Sequence, residues 1–309
     1  VSEDDPDVSV LIATRNRAEH LAASVGMVVA AAEVAAFPTE VVVAGNASVD
    51  STASALKAFA LRHRVLRLLG DPVPGKSGLL NRALRRVRGE AVVFADDDVH
   101  VPDSWVTDMA GPIVRGEVDA ICGRVALAAH LARPWLDPEL WAYLAELLDV
   151  SDGAPGMVEA NMGTKREMPI AVGFDEELDP GARGSADDVL FDLRLRSAGY
   201  RLVGCAGPPV EHHFDPERLS YAAMRSLAKR NGASHAYLWH HWLANDLRFL
   251  AIRRIRAIMM LTWASRKRWS LGPSGISRAE YEQLYKVSFF AALADERAEP
   301  RRYEPPPSE

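Results

Sequence analysis

Four short runs of β-branched and small apolar residues punctuate the N-terminal third of the chain: residues 8–13 (VSVLIA), 40–44 (EVVVA), 65–68 (VLRL) and 91–95 (AVVFA). Runs that are apolar on both faces of the pleat fit strands covered on both sides, as in a parallel sheet. Helical patterns lie between them. Leu21, Val25, Val28 and Val29 share one helical face, with Asn16 as the expected N-cap. Residues 51–61 read as a second helix, and residues 77–87 place Leu79, Leu80, Ala83, Leu84 and Val87 at helical spacing before Gly89. This β-α-β-α order predicts a doubly wound, mostly parallel α/β sheet.

The second half is less regular. Residues 120–127 read as a strand, 187–198 as a helix stopped by Gly199, and 201–203 as a short strand. From Leu219 onward the chain is helical and basic, and the tail PRRYEPPPSE is expected to be disordered. A net charge of −6 argues against a nucleic-acid partner. The two cysteines, Cys122 and Cys205, form no disulfide framework, which fits a reducing cytoplasm. The acidic opening VSEDDPDVSV predicts no signal peptide, and no uncharged apolar run of about 18 residues predicts a membrane span.

Four clusters carry chemistry. Asp96-Asp97-Asp98 follows AVVFA directly, and ligands of open α/β sheets gather at the carboxyl ends of strands. Three adjacent acids repel unless a cation or solvent relieves them. In extended backbone Asp96 and Asp98 point the same way, which suits a hard divalent ion beside a phosphate. The plainer alternative is a solvated acidic turn. Gly75-Lys76 opens a helix where a lysine can meet a phosphate or a diphosphate, or is an ordinary surface loop; it is read as no P-loop, with GxxxxGK[ST] taken as absent and DPVPGKS as following no strand turn of that type. Asp187-Asp188 opens another helix, either as a cap or as a general base. Glu211-His212-His213 offers an imidazole to a metal, or is structural.

In order and spacing these segments resemble the family 2 glycosyltransferases of the GT-A fold, over residues 8–216. The resemblance is carried by VSVLIATRNRAEHL, VVVAGNASVDST, GKSGLLNRALRRVRGEAVVFADDDV, EANMGTKRE, GFDEELDPG, ADDVLFDLRLRSAGYRL and VEHHFDP. It implies a metal-dependent, inverting transfer of a sugar from a nucleotide diphosphate-sugar to an acceptor hydroxyl on a glycan, a lipid-linked sugar or a small metabolite. Asp96 and Asp98 match the family's DxD motif, holding the cation, Mg²⁺ or Mn²⁺, against the diphosphate, with Asp96 also near the ribose and Asp97 in the variable middle place. Asp188 matches the catalytic base, with Asp187 where a glutamate is usual. His212 matches the histidine that completes the metal site, with His213 its competitor. Thr14, Arg15, Asn46 and Lys76 fall where the family contacts the nucleotide. The implied organisation is a donor half (residues 1–115), an acceptor half (116–217) and a helical C-terminal extension (218–309).

Two departures stand out. The base-contacting aspartate at the end of the second strand is replaced by Ala44 or Gly45. The QxxRW motif of processive members is missing, and Lys229-Arg230-Asn231 looks more like the basic segment of non-processive relatives. Trp135 and Trp141 are candidates to stack on an acceptor sugar, or core residues. Residues 247–263 mix arginines with large apolar side chains. That mixture fits peripheral contact with an anionic membrane, or packing on the catalytic domain or on a second subunit as a homodimer. Two other classes compete. One is a nucleotidyltransferase, whose glycine-rich N-terminal loop TRNRAEH lacks; the other is a sugar-binding relative without catalysis.

Overall fold

The computed structural model describes residues 5–18, 21–145, 147–150, 156–179, 183, 186–266 and 275–304. The chain runs β1 (Val8–Thr14), α1 (Leu21–Glu33), β2 (Thr39–Asn46), α2 (Thr52–Ala60), β3 (Leu66–Asp71), α3 (Lys76–Ala83), β4 (Ala91–Asp96), β5 (Val99–His100), α4 (Trp105–Val114) and β6 (Ala120–Leu127). It continues through α5 (Pro138–Trp141), β7 (Met162–Lys165), α6 (Glu167–Val172), α7 (Asp187–Ser197), β8 (Leu202–His212), α8 (Tyr221–His241), α9 (Leu250–Ala264) and α10 (Arg278–Glu296). Two compact units result: residues 1–128, 145–176 and 187–214 form the first, and residues 129–144, 177–186 and 215–309 the second.

The first unit is built on an eight-stranded sheet of order β3-β2-β1-β4-β7-β6-β8-β5. β1 pairs in parallel with β2 and β4, and β2 with β3. β7 is antiparallel to β4 and β6, β6 is parallel to β8, and β5 is antiparallel to β8. Alternation along β1 feeds two cores. Val10 and Ile12 pack with Val25 and Val28 of α1, whereas Leu11 packs with Leu79 and Leu80 of α3. Register then aligns the strand ends: Thr14 lies opposite Gly45, Ala13 opposite Asp96, and Asn46 opposite Asp71. The carboxyl edge of the parallel strands is therefore one ledge, and chain order reverses between β1 and β4, where such sheets bind ligands.

In the second unit α10 lies against α8 and α9. α8 and α10 approach closely at Gly232 of α8, since a Cβ there would sit 2.4 Å from the Tyr285 carbonyl oxygen. Arg183 reaches Glu296 at 2.7 Å, and Glu296 also meets His241 at 3.0 Å.

Several local expectations are corrected. Asn16 is not a helix N-cap: it has a φ of +53°, and its Oδ1 accepts a bond from the Val49 amide. α3 ends at Ala83 rather than near Val87, because Arg86 N–H bonds back to the Ala83 carbonyl and tightens the turn. The strand expected at 201–203 runs on to His212, since the Gly-Pro stretch that disguised it is accommodated by a register shift opposite Gly123 and Val125. By contrast, Cys122 and Cys205 are both free thiols, in line with the reading that they form no disulfide framework. Part of the tail is ordered, for Arg301 donates to the Ala244 carbonyl and Tyr303 packs edge-on against Trp242; residues 305–309 lie outside the described residues.

Candidate active site

The acids after β4 leave the strand on a tight turn, not in extended backbone. Asp96 ends β4, Asp97 and Asp98 form the turn, and β5 starts at Val99. β5 is only two residues long, yet it fixes the site: Val99 pairs with His212, and His213 N–H donates to the Asp98 carbonyl at 2.7 Å. This pairing delivers the His212 Nε2 to within 3.0 Å of Asp98 Oδ1. One ligand atom each from Asp96, Asp98 and His212 lies within 4.8 Å of the others. His213 points elsewhere: it stacks on His100 and bonds Glu211 at 3.0 Å. The His212 Nδ1 is buried without a hydrogen-bond partner, so the ring is held by packing, edge-on to Phe214, and by its Nε2 contact.

Lys76, the first residue of α3 after Gly75 (φ +123°), turns inward. Its Nζ lies 2.7 Å from Asp96 Oδ1 and 2.6 Å from Glu159 Oε2. Burial works against the Lys76 ammonium, but Asp96, Glu159 and Asp187 override it and raise its pKa well above the usual lysine value. Residues 70–77 (GDPVPGKS) do spell GxxxxGK[ST], and they run out of β3 and into α3, contrary to the sequence reading on both points. The loop is nonetheless no phosphate cradle of the P-loop kind: Pro72 and Pro74 lack N–H groups, and the Val73 amide is taken by Asp71 Oδ1 at 2.9 Å.

Asp187 and Asp188 head α7 on the same side of the sheet. Ser77 Oγ lies 3.3 Å from Asp187 Oδ2. Asp188 is half-buried by surface yet ringed by protein, and that burial, followed by the neighbouring Asp187, raises its carboxyl pKa to about 7. Lys76 lowers it and Asp96 raises it, which sets Asp188 within electrostatic reach of the acids on the turn. Asp97 is buried, and its pKa rises to about 6, from desolvation first and Asp98 second.

Thr14 donates its hydroxyl to Asp97 at 2.7 Å. Arg15 is exposed, and the cation that reaches the acids is Arg17, 3.3 Å from Asp98 and 3.6 Å from Asp97. Asn46 ends β2, and its side chain lies outside the described residues. Sequence reasoning passed over two residues, Arg17 and Glu159. Glu159 was detectable as the lone acid in the apolar stretch MVEANM, where a buried charge needs a partner. Trp135 and Trp141 are both half-buried and belong to the second unit.

The electrostatic balance is lopsided. Asp96, Asp97, Asp98, Glu159, Asp187 and Asp188 face two fixed cations, Lys76 and Arg17. Such a cluster is stable only with protons or a bound cation. Beside it, at the ends of β2 and β3, a cleft of about 260 Å³ is lined by Gly45, Ser48, Thr52, Leu56, Leu68 and Asp71. A second cleft, about 720 Å³, lies along Arg124, Leu148 and Arg201, and none of the clustered acids is among its lining residues.

A parallel half ending in acids is joined to a mixed half that returns a histidine to them. Residues 9–160, just under half of the chain, match the family model described as Glycosyl transferase family 2, which makes that segment a family 2 glycosyltransferase domain. Solved structures agree on the fold. S. aureus TarS 1–349 matches with a TM-score of 0.53 at 16% identity, over 94% of this chain and 91% of that one; it is also solved with UDP-GlcNAc. The mannosyltransferase PcManGT from Pyrobaculum calidifontis, in complex with GDP-Man and Mn²⁺, matches with a TM-score of 0.51 at 20% identity, over 95% and 76% of the two chains. A curated relative, the uncharacterized protein y4gI of Sinorhizobium fredii, is 29% identical over 241 residues, 70% of this chain. The present chain spans a quarter of that relative's length.

Proposed function

We propose that the protein transfers one sugar per encounter from a nucleotide diphosphate-sugar to an acceptor hydroxyl, with inversion at the anomeric carbon. The observation that carries this reading is the convergence of Asp96, Asp98 and His212 on one point, with Asp188 within electrostatic reach. The donor set fits a divalent cation: two carboxylates and an imidazole, packed close among excess negative charge. The imidazole leans the set from Mg²⁺ toward Mn²⁺, because Mg²⁺ prefers oxygen ligands. When bound, the ion supplies Lewis-acid neutralisation of the departing diphosphate.

The chain's own groups supply the rest. Asp188 accepts the proton of the acceptor hydroxyl as that oxygen attacks the anomeric carbon, and the bond to the diphosphate breaks with its electron pair leaving on the phosphate oxygen. A carboxylate with a pKa of about 7 is well matched to this task near neutral pH. Lys76, paired with Asp96 and Glu159, is placed to meet the diphosphate. The nucleoside occupies the cleft at the ends of β2 and β3, where the lining residue Gly45 lies in register opposite Thr14; Arg15 and Asn46 follow these two residues in the chain. In this reading residues 1–115 serve the donor, residues 116–217 the acceptor, and residues 218–309 form a helical extension.

The test is a thermal-shift screen of UDP- and GDP-sugars with and without Mn²⁺, because a ligand that binds the native state raises its apparent stability. Mn²⁺ should raise the Tm of the wild type and enhance the shift given by one nucleotide-sugar. Asp98→Asn and His212→Ala should abolish the Mn²⁺ shift. Equal Mn²⁺ shifts in both variants would overturn the metal assignment. Consumption of a nucleoside triphosphate with a sugar phosphate would replace the reading with nucleotidyl transfer.

A further inference from the structure

Helix α9 is patterned inside out. Against α10 it buries only Ala257 and Ala264. Its large apolar residues face away: Ile252 is 65% exposed, Ile255 59% and Met259 66%, with Trp263 continuing the row at 53%. Three- and four-residue spacing puts these four on one face. A helix whose only environment is its own domain and water carries the reverse pattern. No helix among the described residues is long and apolar enough to cross a membrane, so α9 is not a span.

The charge on the helix is equally one-sided. Arg248, Arg253, Arg254 and Arg256 are exposed, and residues 247–266 contain no Asp or Glu, in a chain whose net charge is −6. The sequence continues Arg266-Lys267-Arg268-Trp269. An apolar row flanked by arginines and ending in Trp263 matches one surface in both respects: acyl carbon for the row, and phosphate for the arginines. A two-fold partner copy matches only one of them. An isologous contact places the same patch on itself, and that would set these arginines against their own copies.

We propose that the outward face of α9 docks on an anionic lipid surface, with Ile252, Ile255 and Met259 in the headgroup–acyl boundary and the arginines on lipid phosphates. The inference stands independently of the transfer chemistry, and it would hold the enzyme where lipid-borne acceptors reside.

The experiment is flotation of the full chain with unilamellar vesicles. One set is pure phosphatidylcholine and the other contains equal parts phosphatidylcholine and phosphatidylglycerol. The bound fraction should be at least tenfold higher on the anionic vesicles at about 0.1 M salt, and should fall at about 1 M, where the Debye length is about 3 Å. The doubly substituted Ile255→Glu, Met259→Glu chain and the Arg253→Glu, Arg256→Glu chain should each lose at least tenfold in binding. Both should keep the wild-type Mn²⁺ thermal shift, which reports an intact first unit. Absence of vesicle binding overturns the proposal. So does binding equal on both lipid mixtures, or binding untouched by the substitutions. A concentration-dependent dimer dissolved by Ile255→Glu, without vesicle binding, overturns it in favour of a second copy.

Discussion

If Asp188 is the base, the rate carries its titration. Its carboxyl is raised to about 7 by burial and by Asp187. From that value, about one tenth is ionised near pH 6 and about nine tenths near pH 8. Only the ionised form accepts the acceptor's proton, so kcat/KM should climb about tenfold across that interval and then level off. Asp187→Asn removes the like charge, lowers the Asp188 pKa and moves the rising limb to lower pH. A cation on Asp96 and Asp98 moves it the same way, so the profile is best compared between variants at one saturating Mn²⁺ concentration. Asp188→Asn should reduce kcat by about 10²- to 10⁴-fold, with donor affinity by calorimetry unchanged. Near-normal turnover in Asp188→Asn would refute the assignment, as would a flat profile that Asp187→Asn fails to shift.

Other expectations concern the frame around the site. Gly232→Ala should destabilise the protein by about 1–3 kcal/mol in urea titration, because its Cβ would lie 2.4 Å from the Tyr285 carbonyl and the two helices must part. Burial pushes the Glu40 carboxyl up, but Ser9, Arg67 and the Arg88 amide outweigh it and hold the pKa below the usual glutamate value. Its contribution is therefore present above the ordinary glutamate pKa and lost as pH falls through the folded value. Glu40→Gln should cost about 1–3 kcal/mol near pH 7 and much less in acid, measured by urea unfolding at both pH values. Burial pushes the Cys122 thiol up to about 12, so iodoacetamide at about pH 8 should leave it unmodified in the native protein by mass spectrometry, and label it after denaturation.

The parallel half was readable because its strands are covered on both faces: β1, β2 and β4 are almost wholly apolar, and nothing else fits such runs between helical stretches. The convergence of Asp96 and Asp98 was anticipated, but on the wrong ground, since a turn and not the pleat brings them together. Arg17 was passed over because the left-handed Asn16 redirects the chain, and Asn16, of a residue type enriched at positive φ, was read as a helix cap instead. β8 was cut short in the reading because glycines and prolines depress strand propensity, while pairing with β6 overrides them. The choice between His212 and His213 hinges on a strand of two residues, too short to leave any periodic trace.

That brief pairing of Val99 with His212 carries a temporal consequence. Asp98 precedes His212 in the chain, and the imidazole comes within reach of Asp98 only when β8 closes on β5. If the proposed cation site is right, the acids after β4 lack their third ligand until then. A nascent or truncated chain ending before the last strand should therefore hold Mn²⁺ more weakly than the full protein, so that ion loading becomes a late checkpoint on a finished sheet.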